Sequence, residues 1–318
     1  MECRDLMEDL LSTSGSCSLT SEIHHTEADV ATKQEMGQTL SPEQEEMAFE
    51  GIADMLSNVL QLDELKIDSS LQRFSGLNSA EELNNYRDHV LYSGELNQVA
   101  SIVREVGNVL GGLSKVPHAV GLGALIISLA LDVVAKSLNK ETMGTAEMLE
   151  RVFAQEKAKE VRDLMHEYLK RMQINLRDPQ LQLSDTRLIE IALSAQLTRL
   201  KNSMLIDEHM DTQFLKQWVN GAAFHTQMLI HQARLESAGE PDGSRAVRAA
   251  GIYQQDMNRL MEKIKTLMRN RDDSQNANKI IEILFSKPQI TWTRDYFSKL
   301  QANIPALVRQ NADFVIKT

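Results

Sequence analysis

The chain has 318 residues and a formal net charge of -11, and this charge is unevenly distributed. Residues 1–50 carry 12 acidic and 2 basic side chains, whereas the remaining 268 residues carry 33 acidic and 32 basic ones. The body of the chain is therefore almost neutral. This excludes a typical nucleic-acid-binding domain, because such a domain needs excess Lys and Arg to displace the counterions of phosphates.

The composition of the chain predicts an all-α fold. Aromatic residues make up only 5% of the chain, whereas Met occurs 15 times, and the helix-breaking residues Gly and Pro occur only 15 and 6 times. A core of aliphatic residues with few breakers is typical of long helices. We predict an elongated helical bundle of about seven to nine helices with a buried central hydrophobic helix or hairpin.

The first 45 residues are predicted to form a disordered acidic tail, and residues 46–318 to form the bundle domain. The small polar run at 12–18 and its acidic flanks cannot bury enough apolar surface to offset the entropy of ordering. The first ordered helix is predicted to begin at Ser41-Pro42-Glu43-Gln44. Here Ser41 is suited to the N-cap, Pro42 to the first helical position and Gln44 to the third position of a capping box.

The cysteines and the first residues of the chain bear on its compartment. Both cysteines, Cys3 and Cys17, lie in the predicted tail, so a disulfide framework in the body is excluded. Residues 1–5 lack the basic region and apolar run of a secretory signal. We therefore expect a cytoplasmic protein, while non-classical release and membrane association stay open.

Hydrophobic residues at helical spacing recur along the body of the chain. The predicted helices cover residues 48–62, 79–92, 96–113, 145–175, 185–204, 207–238 and 244–268. In the helix of 185–204, the predicted core stripe consists of Leu188, Ile191, Ala195 and Leu200. The best candidate for a strand is 288–293, where Ile290 and Trp292 alternate with polar residues.

One segment of the chain is unusually apolar. Lys115 carries the single formal charge between Glu105 and Asp132, and Val116–Leu131 is wholly uncharged. Leucines and isoleucines cover every side of a helix in this segment, which predicts burial in a core or in lipid. Sixteen helical residues span about 24 Å, short of the roughly 30 Å hydrocarbon core of a bilayer. This length argues against a single transmembrane helix.

A hairpin fits the apolar segment better, with arms at Leu96–Leu110 and Gly121–Ala135. The residues predicted to form the bend and to permit close packing are Gly107, Gly111, Gly112, Pro117, Gly121 and Gly123. Two interpretations stay open. The segment 116–135 is either a buried core helix of the bundle or a sequestered hairpin that leaves the bundle and enters a membrane.

The membrane interpretation names candidate site residues. The candidates for membrane insertion are Val116, Val120, Leu122, Leu125, Ile126, Ile127, Leu129 and Leu131. The candidates for contact with anionic lipid headgroups are Lys115, Lys136 and Lys140. The same lysines are equally typical of the solvated flanks of an apolar helix.

Catalytic motifs are lacking, so we predict no enzymatic activity and no cofactor, metal or small-molecule substrate site. The sequence contains no phosphate-binding loop, nucleophile elbow or His-Glu-x-x-His motif. His209 stands among acidic residues and could bind a metal loosely, but an acidic helix start explains the cluster better. His225 and His231 are six residues apart, which favours helix packing over metal ligation.

The order of the elements resembles a known group of proteins. An amphipathic helix at Leu96–Leu113, a glycine-rich apolar segment at Val116–Ala135 and a charged helix at Thr145–Asn175 are followed by the helix 224–236. This order, over roughly residues 95–270, resembles the rapunzel and cephalotoxin-like proteins of fishes and other animals. Those proteins are similar in layout to α-helical pore-forming toxins. The resemblance implies membrane engagement by a soluble helical protein, although the acidic tail is not part of the shared pattern.

The sequence therefore leads to two hypotheses. The first is a soluble, toxin-like protein that engages or permeabilises membranes through residues 116–135, with membrane lipid as its partner and with homo-oligomerisation. The second is a non-enzymatic helical scaffold that binds partner helices through a coiled-coil-like seam at Leu96–Leu113 and in which the segment 116–135 is only core. Neither hypothesis involves nucleic acid.

Overall fold

The computed structural model describes residues 41–92, 115–116, 121–147, 159–206, 212–237, 239–270, 274–310 and 314–315. Several sequence predictions therefore lie outside the described residues, and three of them concern whole segments. They are the acidic tail up to residue 40, the helical seam at 96–113 and the acidic cluster around His209.

Eleven α-helices and two short strands lie within the described residues. The helices are α1 (Pro42–Val59), α2 (Ser69–Arg73), α3 (Ser79–Tyr92), α4 (Leu122–Ser137), α5 (Lys159–Ile174), α6 (Pro179–Ile206), α7 (Thr212–Glu236), α8 (Ser244–Arg269), α9 (Gln275–Ser286), α10 (Pro288–Arg294) and α11 (Tyr296–Arg309). Short 3₁₀ turns lie at Leu62–Glu64, after α1, and at Thr145–Glu147, after α4. The strands β1 (Lys115–Val116) and β2 (Phe314–Val315) pair antiparallel. The all-α prediction is confirmed.

The helix starts follow local capping chemistry. At α1, the Ser41 hydroxyl accepts from the Gln44 amide at 3.3 Å, and the Gln44 side chain accepts from the Ser41 amide at 3.1 Å, as the predicted capping box requires. At α6, the Asp178 carboxylate accepts from the amides of Gln180 and Leu181, both at 3.0 Å. Helix α6 therefore begins six residues before the predicted position at 185.

The described residues divide into two compact units. The smaller unit contains those up to Lys66 together with Thr212 and Met257–Arg294, and the larger unit contains the rest. In the smaller unit, α1 packs against α9, and Lys279 lies over the Phe49 ring at 4.6 Å. The first part of α8, to Asp256, belongs to the larger unit and the remainder belongs to the smaller one.

Helix α7 has a longer unbroken run of buried residues than any other described helix of the larger unit. Every residue from Gln217 to Arg234 is buried. A close approach to its neighbours is possible because Gly221 has no side chain. A Cβ at this position would lie 2.8 Å from Leu197 of α6 and 3.0 Å from Val161 of α5.

Three polar side chains of α7 bond to the elements around it. The Asn220 side chain accepts from the Asp68 amide at 2.7 Å, and His231 lies 3.3 Å from the Gln182 side chain. Arg234 donates to the carbonyls of Leu307, Val308 and Gln310 at the end of α11. Burial lowers the pKa of Arg234 to about 10. These bonds satisfy polar groups that would otherwise be costly to bury.

Two sequence predictions are wrong. Residues 288–293 form helix α10 rather than a strand, because Pro288 is suited to the first position of a helix and the Thr291 amide donates to the Lys287 carbonyl at 3.0 Å. Most of the predicted core stripe of α6 also faces solvent, since Leu188 is 62% exposed and Ile191 is 69% exposed, whereas its last member, Leu200, is buried as predicted. The residues that α6 buries lie on its opposite face and include Ile189, Leu193 and Leu197.

Candidate functional site

Helix α4 is the apolar segment that the sequence singles out. It packs against α3, α5 and the 3₁₀ turn at Thr145–Glu147. Its residues are buried without interruption from Leu122 to Asp132, and Val134 and Ala135 are buried as well. From Leu122 to Asp132 this apolar helix is therefore shielded from water on every side, as the sequence predicts, whereas Val133 near its end is exposed.

The predicted second arm of the hairpin, Gly121–Ala135, matches α4 closely. Leu122, Leu125, Ile126, Ile127, Leu129 and Leu131 are buried in α4. Val116 lies in β1, opposite Phe314 of β2. Val120 lies outside the described residues, as does the predicted first arm.

Of the predicted close-packing residues, only Gly121 and Gly123 belong to the described part of the chain. Gly123 is buried in the first turn of α4. Gly121 precedes the helix with φ 63° and ψ -129°, a conformation that only glycine adopts readily. A Cβ on Gly121 would lie 3.2 Å from the Gln227 side-chain oxygen of α7. Gly107, Gly111, Gly112 and Pro117 lie outside the described residues.

The C-terminus of α4 is closed by its own backbone. Asn139 adopts a left-handed conformation with φ 55°, and the Lys140 amide donates to the Ala135 carbonyl at 2.9 Å. This is the Schellman arrangement, in which a residue with positive φ ends the helix and its last carbonyls are satisfied. The Lys140 side chain then donates to the Val90 carbonyl of α3 at 2.8 Å.

The proposed headgroup lysines have different surroundings. The Lys136 ammonium lies 3.2 Å from the Glu147 carboxylate, and both side chains are exposed. Lys140 is bonded to α3, as described above, and Lys115 lies in β1. Exposed ion pairs are worth little, so Lys136 can exchange Glu147 for another anion at small cost.

Two polar side chains lie in the buried stretch of α4. The Ser128 hydroxyl donates to the Leu125 carbonyl of the same helix at 2.7 Å. Asp132 is fully buried, and its carboxylate accepts a hydrogen bond from the Tyr86 phenol of α3 at 2.5 Å. Burial raises the pKa of Tyr86 most, and the hydrogen bond to Asp132 raises it further. Tyr86 was not predicted as a site residue, although a carboxylate in an apolar helix requires a donor somewhere in the fold.

A second buried polar cluster lies between α6, α7 and α8. His225 Nε2 lies 3.2 Å from a Glu190 oxygen, and His225 Nδ1 lies 2.9 Å from the Tyr253 phenol. Arg245 donates to the other Glu190 oxygen at 3.2 Å. The hydrogen bond from His225 is the largest of the effects that lower the pKa of Glu190. His225 therefore packs and bonds within the bundle, as predicted.

The smaller unit contains a shallow cleft of about 240 Å³ between α8, α9 and α10. Lys265 lies in this cleft, 5.2 Å above the Phe285 ring, and pairs with Glu282 at 3.5 Å. None of the site residues predicted from the sequence lines this cleft. Across the described ranges, no group of three or more His, Cys, Asp or Glu residues could hold a metal ion.

No protein-family model, no curated protein and no solved structure matches the chain. The resemblance in helix order to the rapunzel and cephalotoxin-like proteins therefore stays a prediction. Among the helices that the structure describes, none has both the length and the hydrophobicity to cross a membrane.

Proposed function

We propose that the protein engages membranes through α4, which is sequestered in the larger unit and enters lipid, with self-association of the protein. The observation that carries this proposal is the unbroken burial of the apolar residues of α4 from Leu122 to Leu131. The two buried polar side chains of α4, Ser128 and Asp132, form few hydrogen bonds to other elements. Ser128 is satisfied within α4 itself, so its hydroxyl stays bonded when the helix moves.

The free-energy cost of moving α4 out of the core is smaller when it enters lipid than when it enters water. Seven large aliphatic side chains of this helix are buried, and exposing them to water would cost roughly 10–20 kcal/mol. Lipid tails are as apolar as the core, so transfer to a bilayer largely avoids this cost. Asp132 opposes the transfer, because an acidic residue at the centre of a membrane helix costs about 2.5–3.5 kcal/mol.

The length of α4 constrains how it enters a bilayer. Its 16 residues span about 24 Å, so a complete crossing needs additional apolar residues. The uncharged sequence from Val116 to Gly121 supplies such residues on the N-terminal side. We therefore propose that α4 enters as one arm of a hairpin and that Gly121 is the flexible joint at its start.

Dye release from vesicles tests the proposal with a matched pair of variants. Tyr86→Phe removes the donor that ties Asp132 to α3, whereas Tyr168→Phe removes a buried phenol that bonds to Thr186 and makes no bond to α4. Both variants lose a buried hydrogen bond, but only the first loosens α4. The vesicles are phosphatidylcholine alone or mixed with phosphatidylserine, at neutral and acidic pH.

The expected result is that Tyr86→Phe releases dye at a several-fold lower protein concentration than the wild type, while Tyr168→Phe does not. Equal gains in both variants would show that general loosening of the fold, rather than α4, governs leakage. The proposal fails if neither the wild type nor either variant releases dye from any of these vesicles.

The second candidate function is a helical scaffold in which α4 is only core. The observation that favours it is α7, which is buried over an even longer stretch and carries too many polar side chains to suit a membrane. In α7, burial over a long stretch is explained by packing within the bundle alone, and the same explanation serves for α4. The scaffold predicts no binding to vesicles, which a flotation assay of the wild type measures directly.

A further inference from the structure

The solvent face of α6 carries an uncharged stripe along most of its length. Eight positions separated by alternating steps of three and four residues lie on this face, and all but the last are exposed. They are Leu181, Ser184, Leu188, Ile191, Ala195, Thr198, Asn202 and Leu205. We call this set the α6 stripe. Steps of three and four are the spacing by which two helices pack side by side in a coiled coil.

The exposure of the α6 stripe is unusual for a protein surface. Leu181, Leu188 and Ile191 are 49%, 62% and 69% exposed, yet α6 buries a separate core stripe on its opposite face. The α6 stripe spans about 36 Å at about 1.5 Å per residue. A cluster of large exposed apolar side chains on one helix face marks an interaction site more often than bare surface.

We propose that the α6 stripe is a homodimer interface in which two copies of the chain pack their α6 helices antiparallel. The stripe is self-complementary in this orientation. A twofold axis passing α6 between Ile189 and Glu190 places Leu188 of each copy against Ile191 of the other. The same axis places Ser184 against Ala195, so that the largest side chains meet at the centre and small ones lie beside them.

Charge on the flanks of the stripe favours a second copy in this orientation. Asp185 and Arg199 lie on the same flank, and the antiparallel axis brings Asp185 of one copy towards Arg199 of the other. Arg199 is exposed, and Asp185 already accepts from Arg171 at 2.8 Å, so Arg199 adds a second cation to this carboxylate. On the other flank, Arg187 comes opposite Ser194, so like charges do not meet. A parallel dimer would instead place Arg199 opposite Ser194 and would lack the ion pair.

This inference concerns α6 and does not rest on the membrane role proposed for α4. Light scattering after size exclusion, across a dilution series, measures the mass of the full chain. Ile191→Glu places a charge at the centre of the proposed interface, and Ile252→Glu is the matched control because Ile252 is 57% exposed on α8. Both positions are exposed, so both variants are expected to keep the wild-type helical content.

The expected result is a dimeric wild type whose dissociation constant rises at least about tenfold in Ile191→Glu, because an unpaired carboxylate is costly to bury. Ile252→Glu is expected to dissociate like the wild type. A monomeric wild type throughout the dilution series, or equal weakening by both variants, would overturn the proposal.

Disulfide trapping tests the antiparallel orientation separately, with Cys3 and Cys17 replaced by Ser. Ser184→Cys combined with Ala195→Cys is expected to form covalent dimers under mild oxidation, because these positions meet only across an antiparallel axis. Ser184→Cys alone is expected to stay uncrosslinked. Efficient crosslinking of Ser184→Cys alone would indicate a parallel dimer and would refute the proposed arrangement.

Discussion

The phenol of Tyr86 lies 2.5 Å from the carboxylate of Asp132, and both side chains are buried in the larger unit. The hydrogen bond joins α3 to the apolar helix α4. A short bond to a carboxylate is stronger than one between neutral groups. The pair therefore stabilises the fold, and under the proposed function it is the hydrogen bond that breaks when α4 leaves the larger unit.

Tyr86→Phe is expected to lower the free energy of unfolding by about 1.5–3 kcal/mol, the usual range for a hydrogen bond to a charged group. Urea unfolding followed by circular dichroism measures this change. Tyr92→Phe is the matched control, because Tyr92 lies on the same helix and is 43% exposed. An unfolding free energy of Tyr86→Phe equal to that of the control would contradict the role of this bond.

Four buried tyrosines predict a loss of stability at alkaline pH. Burial raises the pKa of Tyr86, Tyr168, Tyr253 and Tyr296 above the ordinary value. A tyrosine whose pKa is raised by folding contributes its full stabilisation at pH values below its unfolded-state pKa of about 10. This stabilisation is lost as the pH rises above that pKa. We expect tyrosinate absorbance from these four residues to rise only together with the loss of helical circular dichroism. Ionisation of all five tyrosines in a chain that keeps its helices would contradict this prediction.

Glu190 predicts a loss of stability at acidic pH. The hydrogen bond to His225 and the nearby Arg245 hold the pKa of Glu190 below its ordinary value. Glu190 therefore stabilises the fold at pH values above its unfolded-state pKa of about 4.3, and this stabilisation is lost as the pH falls below that pKa. In Glu190→Gln, the unfolding free energy is expected to fall less steeply between about pH 5 and pH 3. Glu262→Gln serves as the control, because the Glu262 side chain is 66% exposed. If both variants keep the wild-type slope, Glu190 does not contribute.

Gly121→Ala is expected to destabilise the protein by about 1–3 kcal/mol, because its φ of 63° and ψ of -129° suit only glycine and a Cβ would crowd Gln227 at 3.2 Å. Gly51→Ala is the matched control. Nothing lies within 4 Å of a Cβ at Gly51, which lies inside helix α1, so Ala should stabilise by about 0.5–1 kcal/mol. Thermal unfolding separates the two effects by their opposite signs. A neutral or stabilising Gly121→Ala would contradict the inference that only glycine suits the backbone conformation at this position.

Local sequence signals predicted the helices well where capping and apolar periodicity agree. The capping box at Ser41 and the apolar run after Gly121 both mark helix starts that the structure contains. The prediction failed at α6, because periodicity alone cannot tell which of two apolar stripes faces the core. Leu188 and Ile191 follow a helical spacing as regular as that of Leu193 and Leu197, yet only the second pair is buried.

The partners of the candidate site could not be predicted, because they are distant in the sequence. Tyr86 and Asp132 are 46 residues apart, and nothing local to either residue indicates the other. The long buried stretch of α7 was equally hidden, since Asn220, His225 and His231 resemble the polar face of a surface helix. These residues are buried at low cost only because other elements supply bonding partners, and such contacts are properties of the assembled fold.

The central claim is that α4 enters lipid, and quenching from within the bilayer tests it most directly. An environment-sensitive fluorophore is attached at Val133→Cys, in a chain with Cys3 and Cys17 replaced by Ser. Val133 is 52% exposed on α4, so the label should not disturb the fold, and Ile252→Cys on α8 carries the control label. We expect nitroxide quenchers on the lipid tails to quench the label at residue 133, with a blue shift, and to spare the label at 252. Absence of quenching at residue 133 on vesicles that bind the protein would contradict the claim and leave α4 as core.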